Sequence, residues 1–81
     1  MVTLRLFAQA REAAGTNRLQ FDEAQVATVG DVIDQAILSV GGDFSTVVGM
    51  CRIWRNGEQA ERTDAVATGD EVALLPPVSG G

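Results

Sequence analysis

The stretch that decides the fold is Glu71-Val72-Ala73-Leu74-Leu75 (EVALL), which follows Gly69-Asp70 and precedes Pro76. Four of its five residues are apolar, which is typical of a strand that is covered on both faces of a sheet. Proline has no N–H to donate to a strand ladder, so the strand ends before Pro76. The sequence therefore predicts a central strand at residues 71–75, and the other elements must be arranged around it.

Two alternating runs near the start predict a hairpin. Residues 2–6 (VTLRL) alternate between apolar and polar side chains, which is the period of a half-buried strand. Residues 18–22 (RLQFD) alternate again, and residues 15–17 (GTN) supply turn chemistry before them. Strands this close together are most simply a hairpin, here with a somewhat long connection over residues 9–17.

A single long helix is predicted in the middle of the chain. Thr28 is placed as its N-cap, with the hydroxyl positioned to accept from the backbone N–H of Asp31. Apolar residues then recur at spacings of three and four through residues 29–40, which gives a broad apolar stripe. The pair Gly41-Gly42 is a strong stop signal.

The remaining elements complete an α+β fold. Residues 50–55 (MCRIWR) alternate, and Asn56-Gly57 after them is a strong hairpin signal with a short partner strand at residues 58–60. The order hairpin, helix and further strands predicts a mixed sheet of four to five strands packed on one main helix. The apolar last strand suits the middle of the sheet, beside the first strand. This arrangement is a β-grasp, or ubiquitin-like, fold over residues 1–75, followed by an extended tail at residues 76–81.

The composition excludes several kinds of function. The 81 residues include one cysteine, Cys51, which excludes an internal disulfide and a multi-thiolate metal site. Histidine and lysine are absent, so the usual general base and a Schiff-base lysine are both missing. The net charge of -5 argues against a general affinity for nucleic acid. We expect no bound metal or cofactor, and we expect any chemistry to need a second protein.

No segment of the sequence is typical of membrane insertion or secretion. No apolar run approaches the roughly 18 residues of a membrane span. Arg5, Arg11 and Glu12 interrupt the start before a signal peptide could develop. We therefore expect a cytoplasmic protein that does not associate with membranes.

The tail has the features of a chemical arm. Pro76 and Pro77 favour an extended polyproline conformation, which directs the chain away from the sheet. The six residues 76–81, at roughly 3.3 Å each, reach about 20 Å into a partner. Gly80 and Gly81 lack a Cβ, so a narrow channel can close around them and the final carboxylate is unhindered. The segment predicted to thread a partner's active site is Pro76, Pro77, Val78, Ser79 and Gly80, with Gly81 as the reactive residue.

A free carboxylate at Gly81 must be activated before it can donate its acyl group. Adenylation by ATP gives a mixed anhydride, from which a sulfur nucleophile can displace AMP and leave a thiocarboxylate. The sequence has no phosphate-cradling loop, so ATP must be used by a separate activating enzyme. The plainer interpretation is that Ser-Gly-Gly is a frayed end or a tag remnant. The prolines and the β-grasp element order occur together with the diglycine, and this combination favours the interpretation of Gly81 as a reactive residue.

Two motifs resemble a known family, the small sulfur-carrying subunit of molybdopterin synthase (MoaD). Residues 7–15 (FAQAREAAG) resemble its FAxxRExxG segment, and residues 69–81 (GDEVALLPPVSGG) resemble its GDEVAxxPPVxGG ending. The resemblance covers almost the whole chain, although residues 19–67 match mainly in element order. The two motifs together are more specific than the diglycine, which other ubiquitin-like sulfur carriers share.

The resemblance implies a function and a set of partners. An E1-like adenylyltransferase would activate Gly81, and a sulfurtransferase would supply the sulfur. The tail would enter the active site of the large subunit of molybdopterin synthase, where the sulfur passes to cyclic pyranopterin monophosphate. Two such transfers make the dithiolene of molybdopterin in a heterotetramer. The catalytic side chains are expected on the large subunit, so this chain would be a non-catalytic, sulfur-donating subunit.

Several surface residues are candidates for the partner interface. Phe7 falls on the Arg5 side of its strand, near the exit of the last strand, and Leu75 stands at the base of the tail. Arg11 could contact the partner or pair locally with Glu12. We predict that Phe7, Leu75 and Arg11 contact the partner. The plainer alternatives are that Phe7 caps the edge of the core and that Arg11 has a structural role beside Glu12. Cys51 is more typical of a small buried hydrophobe than of a persulfide carrier, and the role of Trp54 stays open.

Three other functions remain as alternatives. A carrier for thiamine or cysteine synthesis would use the same activated glycine with another acceptor, although the thiamine type usually lacks the Pro-Pro step. A ubiquitin-like modifier would join Gly81 to lysines of target proteins. A plain interaction domain would have an inert tail.

Overall fold

The chain folds in the order strand, helix, strand, two helices and three strands. The computed structural model describes residues 1–77, so the predicted site residues Val78, Ser79, Gly80 and Gly81 lie outside the described residues. The elements are β1 (Val2–Leu6), α1 (Ala8–Ala14), β2 (Arg18–Phe21), α2 (Val29–Val40), α3 (Phe44–Val48), β3 (Arg52–Arg55), β4 (Glu58–Gln59) and β5 (Glu71–Leu75).

The five strands form one mixed sheet in the order β2-β1-β5-β3-β4. The first and last strands are parallel neighbours, with Leu4 opposite Val72 and Leu6 opposite Leu74. The other neighbours are antiparallel. The prediction that the EVALL strand lies in the centre beside the first strand is confirmed, and with it the β-grasp topology.

The two faces of the sheet differ in their cover. We call the face that packs on the helices the inner face. Its fully buried residues on β1 and β5 are Val2, Leu4, Leu6, Val72 and Leu74, and they meet Ala10, Val32, Ile33, Ala36 and Phe44 from the helices. The opposite, outer face carries Ala73 and Leu75, which are only half-buried. The prediction of a β5 strand covered on both faces is therefore wrong. These side chains are apolar, yet no helix of the described residues packs over them.

The capping of α2 is as predicted. Thr28 Oγ1 accepts from the backbone N–H of Asp31 at 3.1 Å, and the Asp31 carboxylate accepts from the N–H of Thr28 at 3.3 Å. These two bonds form a capping box, which satisfies backbone donors that the helix leaves free. The N–H of Gly30 donates to the Arg62 carbonyl oxygen at 2.8 Å. A Cβ at Gly30 would lie 3.1 Å from that oxygen, so only glycine allows this close approach without a shift.

Two short helices were not predicted. The connection between β1 and β2 contains α1, and α3 follows the Gly41-Gly42 stop of α2. Neither has a side-chain N-cap hydrogen bond, and α1 begins at Ala8 with a φ of 50°. Phe7 at the N-cap of α1 is not a capping residue type, and Asp43 at the N-cap of α3 is one but forms no capping bond.

The hairpin of β3 and β4 is confirmed. Asn56 and Gly57 both have positive φ, 51° and 85°, which is the conformation of a type I′ turn. Cys51 precedes β3 rather than lying within the strand as predicted. Among residues 1–77, no helix is long and apolar enough to span a membrane.

Candidate functional site

The predicted tail begins at one end of the outer face. Because β1 and β5 are parallel, Phe7, just after β1, lies at the same end of the sheet as Leu75. Arg52, the first residue of β3, is directly opposite Leu75. Pro76 and Pro77 follow and are exposed. We call these five residues the tail exit. It brings together two of the residues predicted to contact a partner, Phe7 and Leu75.

The side chain of Phe7 is held in a half-exposed position. Its ring lies under the Arg5 guanidinium, whose central carbon is 5.5 Å from the ring centroid, a cation–π contact. Its carbonyl accepts from the backbone N–H groups of Ala10 and Arg11, which fixes the turn into α1. Phe7 therefore shares the outer face with Arg5, as the alternation of the strand predicts. Contact with a partner stays a prediction.

Arg11 does not form a local ion pair with Glu12. It is exposed in the last turn of α1, where a cation favours the helix dipole. Within residues 1–77, it makes no ion pair with Glu12 or with any other acid. Its charge is thus available to solvent or to a partner.

Trp54 adds an aromatic surface to the outer face. It is half-buried and lies between its cross-strand neighbours Ala73 and Gln59. Its indole Nε1 is buried and has no hydrogen-bond acceptor among the described residues. Together with Ala73, Leu75 and Phe7, it makes the middle of the outer face apolar. The sequence left Trp54 open because a pattern of alternation does not show which strands are neighbours.

Cys51 has the character of a structural cysteine. The side chain is half-buried and Sγ donates to the carbonyl oxygen of Val47 at 3.2 Å. Burial raises the pKa of the Cys51 thiol, which disfavours the reactive thiolate. This environment supports the interpretation as a small hydrophobe and gives a persulfide carrier little support.

Three arginines surround the apolar middle of the outer face. Arg5 and Arg18 are directly opposite each other on β1 and β2, and Arg52 stands at the tail exit. All three are exposed. Arg5 and Arg18 lie in the polar phase of β1 and β2, but their pairing depends on the register of these strands, which alternation does not define. Arg52 alternates in phase with Met50 and Trp54, so no pattern in the sequence indicated it.

The helical side carries a cleft. It has a volume of about 590 Å³ and lies between α1 and the turn from α2 to α3, lined among others by Ala13, Val40, Val47, Glu12 and Asp43. A smaller cleft of about 220 Å³ is lined by Arg5, Asn17 and Arg18. Among residues 1–77, no group of three or more Cys, Asp or Glu side chains is placed to hold a metal ion.

Comparison with known proteins gives concordant matches over nearly the whole chain. A model of the ThiS family matches residues 4–81. Small archaeal modifier protein 1 of Haloferax volcanii is 40% identical over 84 residues, which cover 95% of this chain and 97% of that protein. The molybdopterin synthase sulfur carrier subunit of Chlamydomonas reinhardtii is 36% identical over 77 residues, covering 93% and 92%.

Solved structures show the same fold. A putative molybdopterin converting factor subunit 1 from Pyrococcus furiosus has a TM-score of 0.82 at 25% identity, covering 95% of this chain and 97% of that one. Subunit 1 in the protein–protein complex of subunits 1 and 2 of the Helicobacter pylori molybdopterin-converting factor has a TM-score of 0.68 at 23% identity, covering 99% and 97%. The second likeness concerns the fold alone.

Proposed function

Because the chain belongs to the ThiS family of ubiquitin-like sulfur carriers and modifiers, we propose that it carries sulfur as a thiocarboxylate on Gly81 and delivers it in molybdopterin synthesis. The observation that supports this most is the position of the tail. β5 is fixed in the centre of the sheet, and the exposed Pro76 and Pro77 lead from it into the Val-Ser-Gly-Gly sequence. A rigid strand followed by two prolines is a suitable base for an arm that enters another protein.

The proposed chemistry takes place on the backbone of Gly81. Its carboxylate attacks the α-phosphate of ATP in the active site of an E1-like adenylyltransferase and releases pyrophosphate. Sulfur from a sulfurtransferase system then displaces AMP and leaves the thiocarboxylate. In the large subunit of molybdopterin synthase, this sulfur passes to cyclic pyranopterin monophosphate, and Gly81 returns to the carboxylate form. The chain itself supplies no catalytic side chain in this scheme.

The proposed partner interface is centred on the tail exit. Phe7 and Leu75 offer half-buried apolar surface beside the exposed prolines, and Arg11 stands one helical turn beyond Phe7. An apolar centre with a polar rim is the usual arrangement of a protein–protein interface. The partner's large subunit would bind this area while the tail occupies its active site.

Intact-mass measurement tests the proposal directly. The chain is incubated with the adenylyltransferase, ATP and a sulfide source, and its mass should rise by the replacement of one oxygen by one sulfur. Deletion of Gly81 should abolish this change and also the conversion of the pterin substrate by the reconstituted synthase. Ser39→Ala, at an exposed position of α2 away from the tail, is the control and should still be charged. An unchanged mass for the intact chain would refute the proposal.

A second function is favoured by the 40% identity to a small archaeal modifier protein. In that case a lysine amine of another protein would attack the same acyl adenylate, form an isopeptide bond with the Gly81 carbonyl carbon and release AMP. Isopeptide-linked adducts that disappear when Gly81 is deleted would identify a modifier. A carrier for thiamine or cysteine synthesis would instead be recognised by its complex with a thiazole-forming or cysteine-forming enzyme.

A further inference from the structure

We infer that the outer face beside the tail exit binds an acidic segment of a partner protein through Arg5, Arg18 and Arg52. The identity of that partner rests on the proposed function, but the site itself does not. We call these three residues the arginine face.

The pairing of Arg5 with Arg18 is the first reason. The two residues are directly opposite each other on neighbouring antiparallel strands, and both are exposed. Like charges in this position destabilise a sheet, so folding alone does not favour this pair. With Asn17 they line a cleft of about 220 Å³, in which guanidinium and amide donors face the same space. Such a cleft suits a carboxylate, which accepts two parallel hydrogen bonds from one guanidinium.

The shortage of acids around these arginines is the second reason. The chain has 11 acidic residues and six arginines, so an arginine can easily find a partner. Arg62 does so, with Nη2 2.6 Å from Asp34 Oδ1, and Arg55 donates to the Ala65 carbonyl at 2.6 Å. On the arginine face, and among residues 1–77, only Arg5 forms an ion pair, with Glu71 at 3.7 Å. Within residues 1–77, neither Arg18 nor Arg52 makes an ion pair.

The position of the arginine face is the third reason. Arg52 is opposite Leu75 at the tail exit, and Arg5 is opposite Ala73 in the next row. The charges thus lie at the rim of the apolar surface made by Trp54, Ala73 and Leu75. A partner that covers this surface would bring its own rim against the arginines, where acidic side chains complete the hydrogen bonds. The contact of Arg5 with the Phe7 ring already orders one guanidinium for this role.

The charge of the rest of the chain makes the arginine face selective. A molecule of net charge -5 repels an acidic surface in most orientations. The arginine face places positive charge on the outer face at the end of the sheet where the tail begins. An acidic segment would therefore favour the one docking orientation in which the tail points into the partner, and the main effect would be on the association rate.

The first test uses the free protein and hexaglutamate as the probe. Titration at low salt should shift the backbone amide signals of Asn17, Arg18, Arg5 and Arg52 in a ¹⁵N-correlated NMR spectrum. The shifts should vanish near 1 M salt, where the screening length is about 3 Å. Inorganic phosphate is the comparison. Equal shifts with phosphate at the same charge concentration would indicate a small-anion site, and shifts that are absent or spread over the surface would overturn the inference.

The second test measures association with the adenylyltransferase and with the large subunit. A triple variant, Arg5→Gln, Arg18→Gln and Arg52→Gln, should associate about tenfold more slowly at low salt, and the difference should disappear at high salt. The three Arg→Lys substitutions should restore most of the rate. Arg62→Gln removes one charge from the helical side and is the control, which should have little effect. An unchanged rate in the triple variant, or an equal loss in Arg62→Gln, would contradict the inference.

The two proposals can fail separately. If Gly81 accepts no sulfur and neither enzyme binds, the proposed function is wrong, and localised shifts with hexaglutamate would still support the arginine face. If Gly81 accepts sulfur but hexaglutamate causes no localised shifts and the triple variant associates normally, only the arginine face is wrong.

Discussion

The inner and outer faces of the sheet are made by the same strands, but the inner face is packed against helices and the outer face meets solvent. On the inner face, Leu74 and its neighbours are fully buried against the helices. On the outer face, Ala73 and Leu75 are half-buried, and arginines surround them. Because a strand alternates its side chains, consecutive residues belong to different faces. A substitution at one residue of a strand can therefore change stability, while a substitution at the next residue changes recognition.

The strongest test of this comparison replaces two adjacent leucines of β5. Leu74→Ala should lower the free energy of unfolding by about 3 kcal/mol, because it leaves a cavity in a closed core. Leu75→Ala should lower it by only about 1 kcal/mol, since the half-buried side chain already meets solvent. Urea denaturation of both variants gives the two values.

Binding should show the reverse order for these leucines. At a temperature where both variants are folded, Leu75→Ala should weaken association with the large subunit more than Leu74→Ala does. Equal losses of stability in the two variants would mean that the outer face is also part of the core.

The next largest change in the free energy of unfolding is expected at Ala8, where the chain passes from β1 into α1. Ala8 has a φ of 50°, in the left-handed region that an L-residue with a Cβ disfavours. Ala8→Gly should therefore raise the free energy of unfolding by about 1 kcal/mol. Ala13→Gly, within α1 and not among the positive-φ residues, should lower it by a similar amount, about 1 kcal/mol. The same sign for both substitutions would rule out strain at Ala8.

A smaller change in stability is expected for a substitution of Arg18, which tests whether this residue serves the fold or partner binding. Arg18→Thr removes the like-charge pair with Arg5 and adds a β-branched residue, so it should stabilise the fold by about 0.5 kcal/mol. The same substitution should slow association with the partner. Gln20→Thr, which is on the same strand opposite Thr3, is the control for the β-branched residue alone. If Arg18→Thr destabilised the protein, the pair would be part of the fold and not of a binding surface.

The smallest effect on stability is expected at the end of the sheet where β1 and β5 begin. The ammonium group of Met1 lies 2.8 Å from the Glu23 carboxylate, and Thr68 donates a hydrogen bond to the same carboxylate. The hydrogen bond from the ammonium is the main cause that lowers the pKa of Glu23 from 4.5 to about 2. A lowered pKa stabilises the folded state above pH 4.5, and this contribution is lost as the pH falls towards 2.

Glu23→Gln should accordingly reduce the melting temperature slightly at neutral pH and leave it unchanged near pH 2. Acetylation of the Met1 amino group should have the same effect, and the two changes together should add little to either alone. Thermal unfolding measured over this pH range gives the comparison. A Glu23→Gln difference that is constant from neutral pH to pH 2 would refute the assignment.

The parts of the fold that follow from strong local signals could be predicted. The apolar run of β5, the Asn56-Gly57 turn and the Thr28 cap each have one dominant physical cause, and the structure confirms all three. The short helices α1 and α3 could not be predicted. α1 buries only Ala10, whose small side chain gives no visible apolar stripe, and α3 has only five residues.

The positions of site residues could be predicted only where they follow from the order of the strands in the sheet. Phe7 and Leu75 come to the same end of the sheet because their strands are parallel neighbours, and the placement of the last strand beside the first already implied this. The arginine face depends on the registers of β1 with β2 and of β3 with β5. Alternation alone cannot give that register. The domain boundary after residue 75 and the roles of residues 76–81 stay predictions.

The parallel pairing of β1 with β5 has a consequence during synthesis on the ribosome. A nascent chain that has not yet released residues 71–75 has one open edge on β1 and another on β3, and its interior lacks Val72 and Leu74. Without β5, the pair β2-β1 shares no strand neighbour with the pair β3-β4, because β5 is the strand that joins them. If Gly81 is activated as proposed, an activating enzyme that binds the sheet surface would therefore recognise only chains in which β5 has already joined the two halves of the sheet.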